Sequence, residues 1–401
     1  MEINKNFHII IFSRLQSYDG GRETWLNMFL PMLSKKIPNS IINIYFFSDK
    51  ESDKEKLIRT YYNNDKKFNF NEICLTNTTN KFSSLYRIFN FSLKVIRLIK
   101  SNNKKSFKEN ENYLLAIGSF YEGFVLLLYK ITSIFRIKNK IKYFVWLRSI
   151  WSKQSLVLHS GFVHSLVVRI EKIILKNANI IIANGNDTAV AYKDLGFEPV
   201  LINNAIDLNR FKKIAPLINK DIKVISYIGR LSKEKGLLDF IKSIEYFNEN
   251  YPDLKNKIQF EIVGDGPLRE QVKIAKCDNL IFRGLILNEN ITSYLESISC
   301  GVALTYSKNK LGGAGISNGL LELIASGRGV ICWDGPAFTQ ILDEKSAFLI
   351  KESSIKELAL SYKKVIENFN EVTQKNANLK LIIKDYSQEV HIEKFCNIIN
   401  N

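Results

Sequence analysis

Two stretches of the chain pair charge with flexibility in a way that suits phosphate chemistry. In GRLSKEKG (229–236), Arg230 and Lys235 stand five residues apart between a strand-like run and a helix-like run. Two such fixed cations can neutralise a diphosphate and the charge on a departing phosphate. In GGAGISNGLLELIASGRG (312–329), a glycine loop leads into an apolar run that holds a single acid, Glu322. Ser317 and Asn318 are good N-caps, so a helix is expected to start there. Its first amides, near Asn318 to Leu321, then form an anion site, and Gly315 lets a ligand approach the backbone closely. Glu322, one turn in, either caps something internal or accepts hydrogen bonds from ligand hydroxyls, for which a sugar diol with its two donors is a natural partner. A further glycine pair, Gly20-Gly21, precedes a helix with Glu23 in its first turn and is a weaker signal of the same kind. DGPLRE (265–270) reads as a tight turn with a structural role.

These residues need strand ends and helix starts to hold them. HIIIF (8–12), IINIYFF (41–47), YLLAIG (113–118), KYFVWL (142–147) and NIIIAN (179–184) read as buried strands separated by helices such as 23–37. The pattern restarts with VISYIG (224–229), FEIVG (260–264), LIFRG (280–284), CGVALTY (300–306), GVICW (329–333) and SAFLI (346–350). Near-continuous apolar strands alternating with helices predict parallel sheets covered on both faces. The expected fold class is α/β, with two Rossmann-like doubly wound domains facing a central cleft. The expected boundaries are 1–203 for the first domain and 204–385 for the second. A closing helix follows over 386–401, with a return to the first domain as one option. The join, 197–221, reads as loop.

Composition narrows the field. The 401 residues carry a net charge of +17, and the excess sits in the first half: 30 Lys and Arg against 16 Asp and Glu up to residue 200, then 27 against 24. Basic apolar mixtures such as 93–108 and 135–144 suit an anionic membrane surface or a polyanion, and no nucleic-acid module accompanies them. Five scattered cysteines without a CxxC argue against a zinc site or a disulfide framework, so no metal is expected. No secretory signal is read at the start, and 113–135 is interrupted by Glu122 and Lys130, which argues against a membrane span. The expected location is cytoplasmic, with a peripheral position on the inner face of the plasma membrane as an option.

Taken in order, GG at 20–21, NNAIDLNRF (203–211), GRLSKEKG, EIVGDGPLRE (261–270), FRG (282–284) and NGLLELIASGRGVICWD (318–334) resemble the retaining glycosyltransferases of GT-B fold in family 4. The resemblance implies that Arg230 and Lys235 bind the diphosphate of a UDP- or GDP-sugar. It also implies that amides near Asn318 and Leu321 touch the phosphate and that Glu322, the second acid of an E-x7-E signature, binds ribose hydroxyls. The loop at Arg283 and Gly284 would lie against the base, and Gly20 and Gly21 would frame donor or acceptor. No other cofactor is implied. The acceptor would be a membrane-linked glycan or lipid in bacterial surface polysaccharide synthesis. Two positions depart from the pattern. Ala314 stands where the first acid belongs, and Arg148 follows KYFVWL where many members place a histidine; His159 and His164 lie beyond. These departures leave open a degenerate glycosyltransferase-like binding or scaffold subunit. Another GT-B enzyme, such as an epimerase or phosphorylase, is the third reading. A plain NAD-dependent dehydrogenase ranks below these, since no GxGxxG follows the first strand.

Overall fold

The computed structural model describes residues 5–13, 21–48, 65–75, 83–102, 110–133, 141–158, 161–275, 277–307 and 316–400. The chain divides into two compact units. Unit 1 comprises residues 1–203, 310–313 and 392–401, and unit 2 comprises 204–309 and 314–391.

Unit 1 is built on a parallel seven-stranded sheet. Its strands are β1 (Lys5–Ile10), β2 (Ser40–Ser48), β3 (Phe68–Cys74), β4 (Glu111–Ala116), β5 (Ile141–Leu147), β6 (Ile180–Ala183) and β7 (Val200–Leu201), in the order β3-β2-β1-β4-β5-β6-β7. Helices α1 (Gly21–Lys36), α2 (Ser83–Asn102), α3 (Tyr121–Ser133), α4 (Trp151–Leu158), α5 (Gly161–Lys176) and α6 (Asn186–Lys193) cover it. The central strands are fully buried on both faces: β1 puts Phe7 and Ile9 into one cluster and Ile10 into the other. That two-sided burial is why these strands read as unbroken apolar runs. β3 escaped the sequence reading because polar Asn69, Asn71 and Glu72 interrupt FNFNEIC; it lies at the sheet edge, paired among the described residues only with β2. The described part of the apolar region 113–135, residues 113–133, is β4 followed by α3, with Glu122 buried in the first turn of α3. Among the described residues, no helix is long and apolar enough to cross a membrane.

Unit 2 repeats the plan with six parallel strands: β8 (Lys223–Ile228), β9 (Ile258–Val263), β10 (Leu280–Gly284), β11 (Cys300–Ala303), β12 (Gly329–Asp334) and β13 (Phe348–Lys351), ordered β10-β9-β8-β11-β12-β13. Its helices are α7 (Leu237–Asn250), α8 (Arg269–Lys273), α9 (Ile291–Ser297), α10 (Asn318–Ala325), α11 (Ile355–Glu367) and α12 (Phe369–Ile382). One cluster centred on Ile225, Phe240, Phe260 and Trp333 forms its core. The closing helix α13 (Gln388–Asn400) contributes Ile392, Phe395 and Ile399 to the unit 1 core, where Phe395 stacks on Trp146 at 5.5 Å. The join expected to be loop contains β7 and a capped helical turn over Leu208–Phe211, in which the Asp207 carboxylate accepts the Asn209 amide.

Candidate functional site

In unit 2 the strand order reverses between β8 and β11, and the crevice outside the carboxyl ends of such neighbours is where α/β sheets take ligands. A cavity of about 140 Å³ opens there. Gly229, Arg230 and Lys235 line it from the β8 side, Leu304 and Thr305 from the β11 side, and Ser317 and Gly319 from the start of α10.

Close backbone packing builds the cationic loop. Gly236 ends the turn 233–235 at φ +68°, and a Cβ there would come within 2.5 Å of the Leu304 carbonyl oxygen. The turn therefore seats on the β11 exit, and the Lys235 ammonium donates to Thr305 Oγ1 at 3.2 Å. Burial lowers the Lys235 pKa from the ordinary lysine value; Glu234 opposes the shift and Arg230 adds to it. Arg230 itself is exposed, and its carbonyl accepts the buried Tyr227 hydroxyl at 2.8 Å. The GDGP turn braces this loop from below. Gly264, at φ +138°, donates its amide to the Gly284 carbonyl, and a Cβ there would lie 1.9 Å from the Gly229 carbonyl oxygen. Leu231 closes the contact by donating to the Asp265 carbonyl and accepting from the Leu268 amide.

Ser317 caps α10, and its Oγ accepts the Leu320 amide at 3.2 Å. The same residue's carbonyl accepts the Leu321 amide at 3.1 Å. Leu321 is therefore corrected as a phosphate contact: its amide is spent inside the helix and its side chain is fully buried. Gly319 is half-buried and lines the cavity, and among the described residues the Ile228 carbonyl alone lies within 4 Å of a Cβ built on it. Asn318 begins the helix beside it.

Glu322 lies on the same helix with its side chain 14% exposed. Burial pushes its pKa up to about 7, against the pull of Arg210, whose Nη1 is 3.8 Å away. Arg210 was missed in the sequence because NNAIDLNRF lay in the presumed join. Its guanidinium also donates to the Asn288 carbonyl at 2.8 Å and to the Asn288 side chain. Asn204, from the same motif, donates to the Ile316 carbonyl at 2.8 Å and so anchors the entry to α10. The available signal was Asp207, a capping residue in the middle of apparent loop.

The remaining candidates are dispersed. Arg283 is on β10, where it donates to the buried Glu261 at 2.6 Å; Glu261 also accepts from Tyr294 at 2.8 Å and from Gln259. Gly284 ends that strand at φ +70°. In unit 1, Gly21 is the first residue of α1, and the Arg148 guanidinium sits 4.8 Å from the Trp25 ring. His164 shares a 2.9 Å hydrogen bond with Ser155. Gly20, His159, Ala314 and Gly315 lie outside the described residues. Among the described residues no cluster of His, Cys, Asp and Glu could hold a metal ion.

Comparison with known proteins is consistent along the chain. Residues 222–368 match the family model described as Glycosyl transferases group 1. An uncharacterized glycosyltransferase of Methanocaldococcus jannaschii is 25% identical over 328 residues, covering 77% of this chain and 72% of its own. The putative teichuronic acid biosynthesis glycosyltransferase TuaC of Bacillus subtilis is 25% identical over 193 residues, 46% of each chain. Among solved structures, the sucrose-phosphate synthase of Thermosynechococcus elongatus superposes with a TM-score of 0.73 at 14% identity, covering 99% of this chain and 98% of its own. Anabaena HepE in complex with UDP-glucose superposes with a TM-score of 0.68 at 14% identity, covering 98% and 99%. At such identity the structural likeness speaks for the fold alone. With the family match and the curated relatives beside it, the chain has the GT-B fold and is a transferase enzyme that carries a glycosyl transferases group 1 domain over residues 222–368.

Proposed function

We propose that this enzyme is a retaining, family 4 glycosyltransferase that moves a sugar from a UDP- or GDP-sugar to a membrane-linked glycan or lipid acceptor during bacterial surface polysaccharide synthesis. The observation that carries the reading is the convergence of Arg230, Lys235 and the open first turn of α10 on one cavity that, among the described residues, no acid lines. Diphosphate oxygens meet two cations and a positive helix end there. Glu322 accepts the ribose hydroxyls, and Arg283 and Gly284 border the base. Front-side displacement needs no protein nucleophile. The bond from C1 to the phosphate oxygen breaks as the acceptor oxygen bonds to C1 on the same face. The departing phosphate takes the acceptor proton while Arg230 and Lys235 hold the growing negative charge. The ligands of two neighbours, UDP-glucose in HepE and UDP with alpha-GlcNAc-glycerol in S. aureus TarM, support a nucleotide-sugar donor, and the putative teichuronic acid biosynthesis relative TuaC supports a polysaccharide setting.

Thermal-shift titration with UDP, GDP and their sugar conjugates tests this. UDP or GDP should raise the melting temperature by mass action, and Lys235→Ala should shrink the shift. The reading fails if no nucleoside diphosphate stabilises the protein. Ala314 keeps the scaffold reading as the rival: a nucleotide shift without transfer from any nucleotide sugar would favour it.

A further inference from the structure

Unit 2 buries an acid where the next residue on either side is apolar. Glu261 on β9 alternates with Phe260 and Ile262 of the core, and it is 2% exposed. Its carboxylate accepts from Arg283 on β10 and from Gln259 at 2.6 Å each, and from the Tyr294 hydroxyl of α9 at 2.8 Å. Burial pushes its pKa up, but Arg283, Tyr294 and Gln259 outweigh burial and hold it below the ordinary carboxylate value. The network continues to β8: Tyr294 shares a 2.6 Å hydrogen bond with Ser226, which lines the cavity together with Arg230 and Lys235. A buried ion pair is seldom the most stable filling for a core, and its best-attested use is to fix one geometry.

What this network fixes is Arg283. Phe282 pairs with Ile262 and Gly284 with Val263, so Arg283 is an extra residue that breaks the register of β10 in the manner of a bulge. Bulges re-aim side chains beside active sites. The guanidinium gives one N–H to Glu261 and stays half-exposed. β10 stands two strand spacings, about 10 Å, from β8 and the cations of the cavity. The chain leaving β10 is tied toward the same place, since the Asn288 carbonyl accepts from Arg210 and Arg210 faces Glu322. A ligand with its diphosphate in the cavity and its ribose on Glu322 therefore carries its base toward Arg283. An arginine offers donors only. The major-groove edge of guanine presents two adjacent acceptors, O6 and N7, which fit a guanidinium fork. Uracil sets its N3–H donor between its two carbonyls and takes a single bond at most.

We propose that Glu261 and Tyr294 are positioning residues that hold Arg283 to read the O6 and N7 edge of guanine, which makes the donor a GDP-sugar. This rests on the nucleotide-sugar reading above and adds the base to it. Calorimetric titration of the full chain with GDP, UDP and 7-deaza-GDP, which keeps O6 and lacks the N7 acceptor, tests it. The wild type should bind GDP about tenfold or more tightly than UDP, with 7-deaza-GDP between them. Arg283→Gln, at a half-exposed position, should erase the preference and leave UDP affinity within about twofold of the wild type. Glu261→Gln and Tyr294→Phe should narrow the ratio of GDP to UDP affinity by about threefold or more. Equal weakening of both nucleotides in these two variants would mark a structural role and overturn their assignment. UDP bound as tightly as GDP, 7-deaza-GDP bound as tightly as GDP, or an unchanged ratio in Arg283→Gln would overturn the guanine contact. If UDP is preferred and Lys235→Ala still weakens it, the donor reading stands and guanine alone is removed. If no nucleoside diphosphate binds, the donor reading fails and this assignment with it.

Discussion

The two sheets share the strand order 3-2-1-4 at their centres and treat the same position in opposite ways. In unit 1, β1 lies beside β4, and the helix after β4 carries Glu122 in its first turn. That carboxylate is buried and accepts the Phe12 amide at 3.0 Å. A Cβ on Gly118 would come within 2.3 Å of it, so the turn closes directly over the acid. In unit 2, β8 lies beside β11, and the following helix is capped by Ser317 and begins with Asn318 and Gly319; among the described residues no acid lines the cavity. A helix start at a switch point binds external anions only where the chain leaves it open. Unit 1 fills the place with its own carboxylate, and unit 2 surrounds it with cations.

Breaking the open side should have the largest effect. Lys235→Ala is expected to lower kcat/KM by about 10²–10³-fold, the usual loss on removing one group that stabilises developing charge; nucleotide-sugar turnover measures it. A loss below threefold would remove Lys235 from the site. Gly264→Ala should come next, since it forces a side chain against the Gly229 carbonyl at a positive φ. A loss of about 3 kcal/mol in unfolding free energy by urea titration is expected.

On the filled side, Glu122→Ala should cost about 2 kcal/mol because it leaves the Phe12 amide without this acceptor. UDP affinity should stay unchanged; a matching fall in affinity would show that the two switch points do not differ as argued. The smallest effect concerns pH. Glu322 is raised from the ordinary carboxylate value of 4.5 to about 7, so the folded state binds its proton more tightly than the unfolded state. The resulting stability is fully present below about pH 4.5 and is lost as pH rises through about 7. Glu322→Gln should flatten that decline in melting temperature. Nucleotide affinity of the wild type should rise modestly over the same window as the carboxylate forms, and a flat wild-type profile would count against a ribose role.

Much of this was legible before folding. Burial on both faces writes a strand as an apolar run, so β1, β4, β5 and the six strands of unit 2 were visible. The edge strand β3 was hidden because Asn69, Asn71 and Glu72 interrupt it, leaving Phe70 and Ile73 as its buried residues, one in each core cluster, with no unbroken apolar run. Ser317 announced the start of α10 through the acceptor its cap requires. Arg230 and Lys235 announced themselves as cations between a strand and a helix.

By itself, then, the sequence determined which segments are strands, where α10 begins and which cations could meet a phosphate, because those depend on local periodicity, capping and charge. The tertiary structure alone decided that Arg210 faces Glu322 and that Asn204 ties the join to the start of α10. Arg210 and Glu322 stand 112 positions apart. No local rule links residues at that separation; only the packing of unit 2 brings a guanidinium to a carboxylate that burial would otherwise keep protonated.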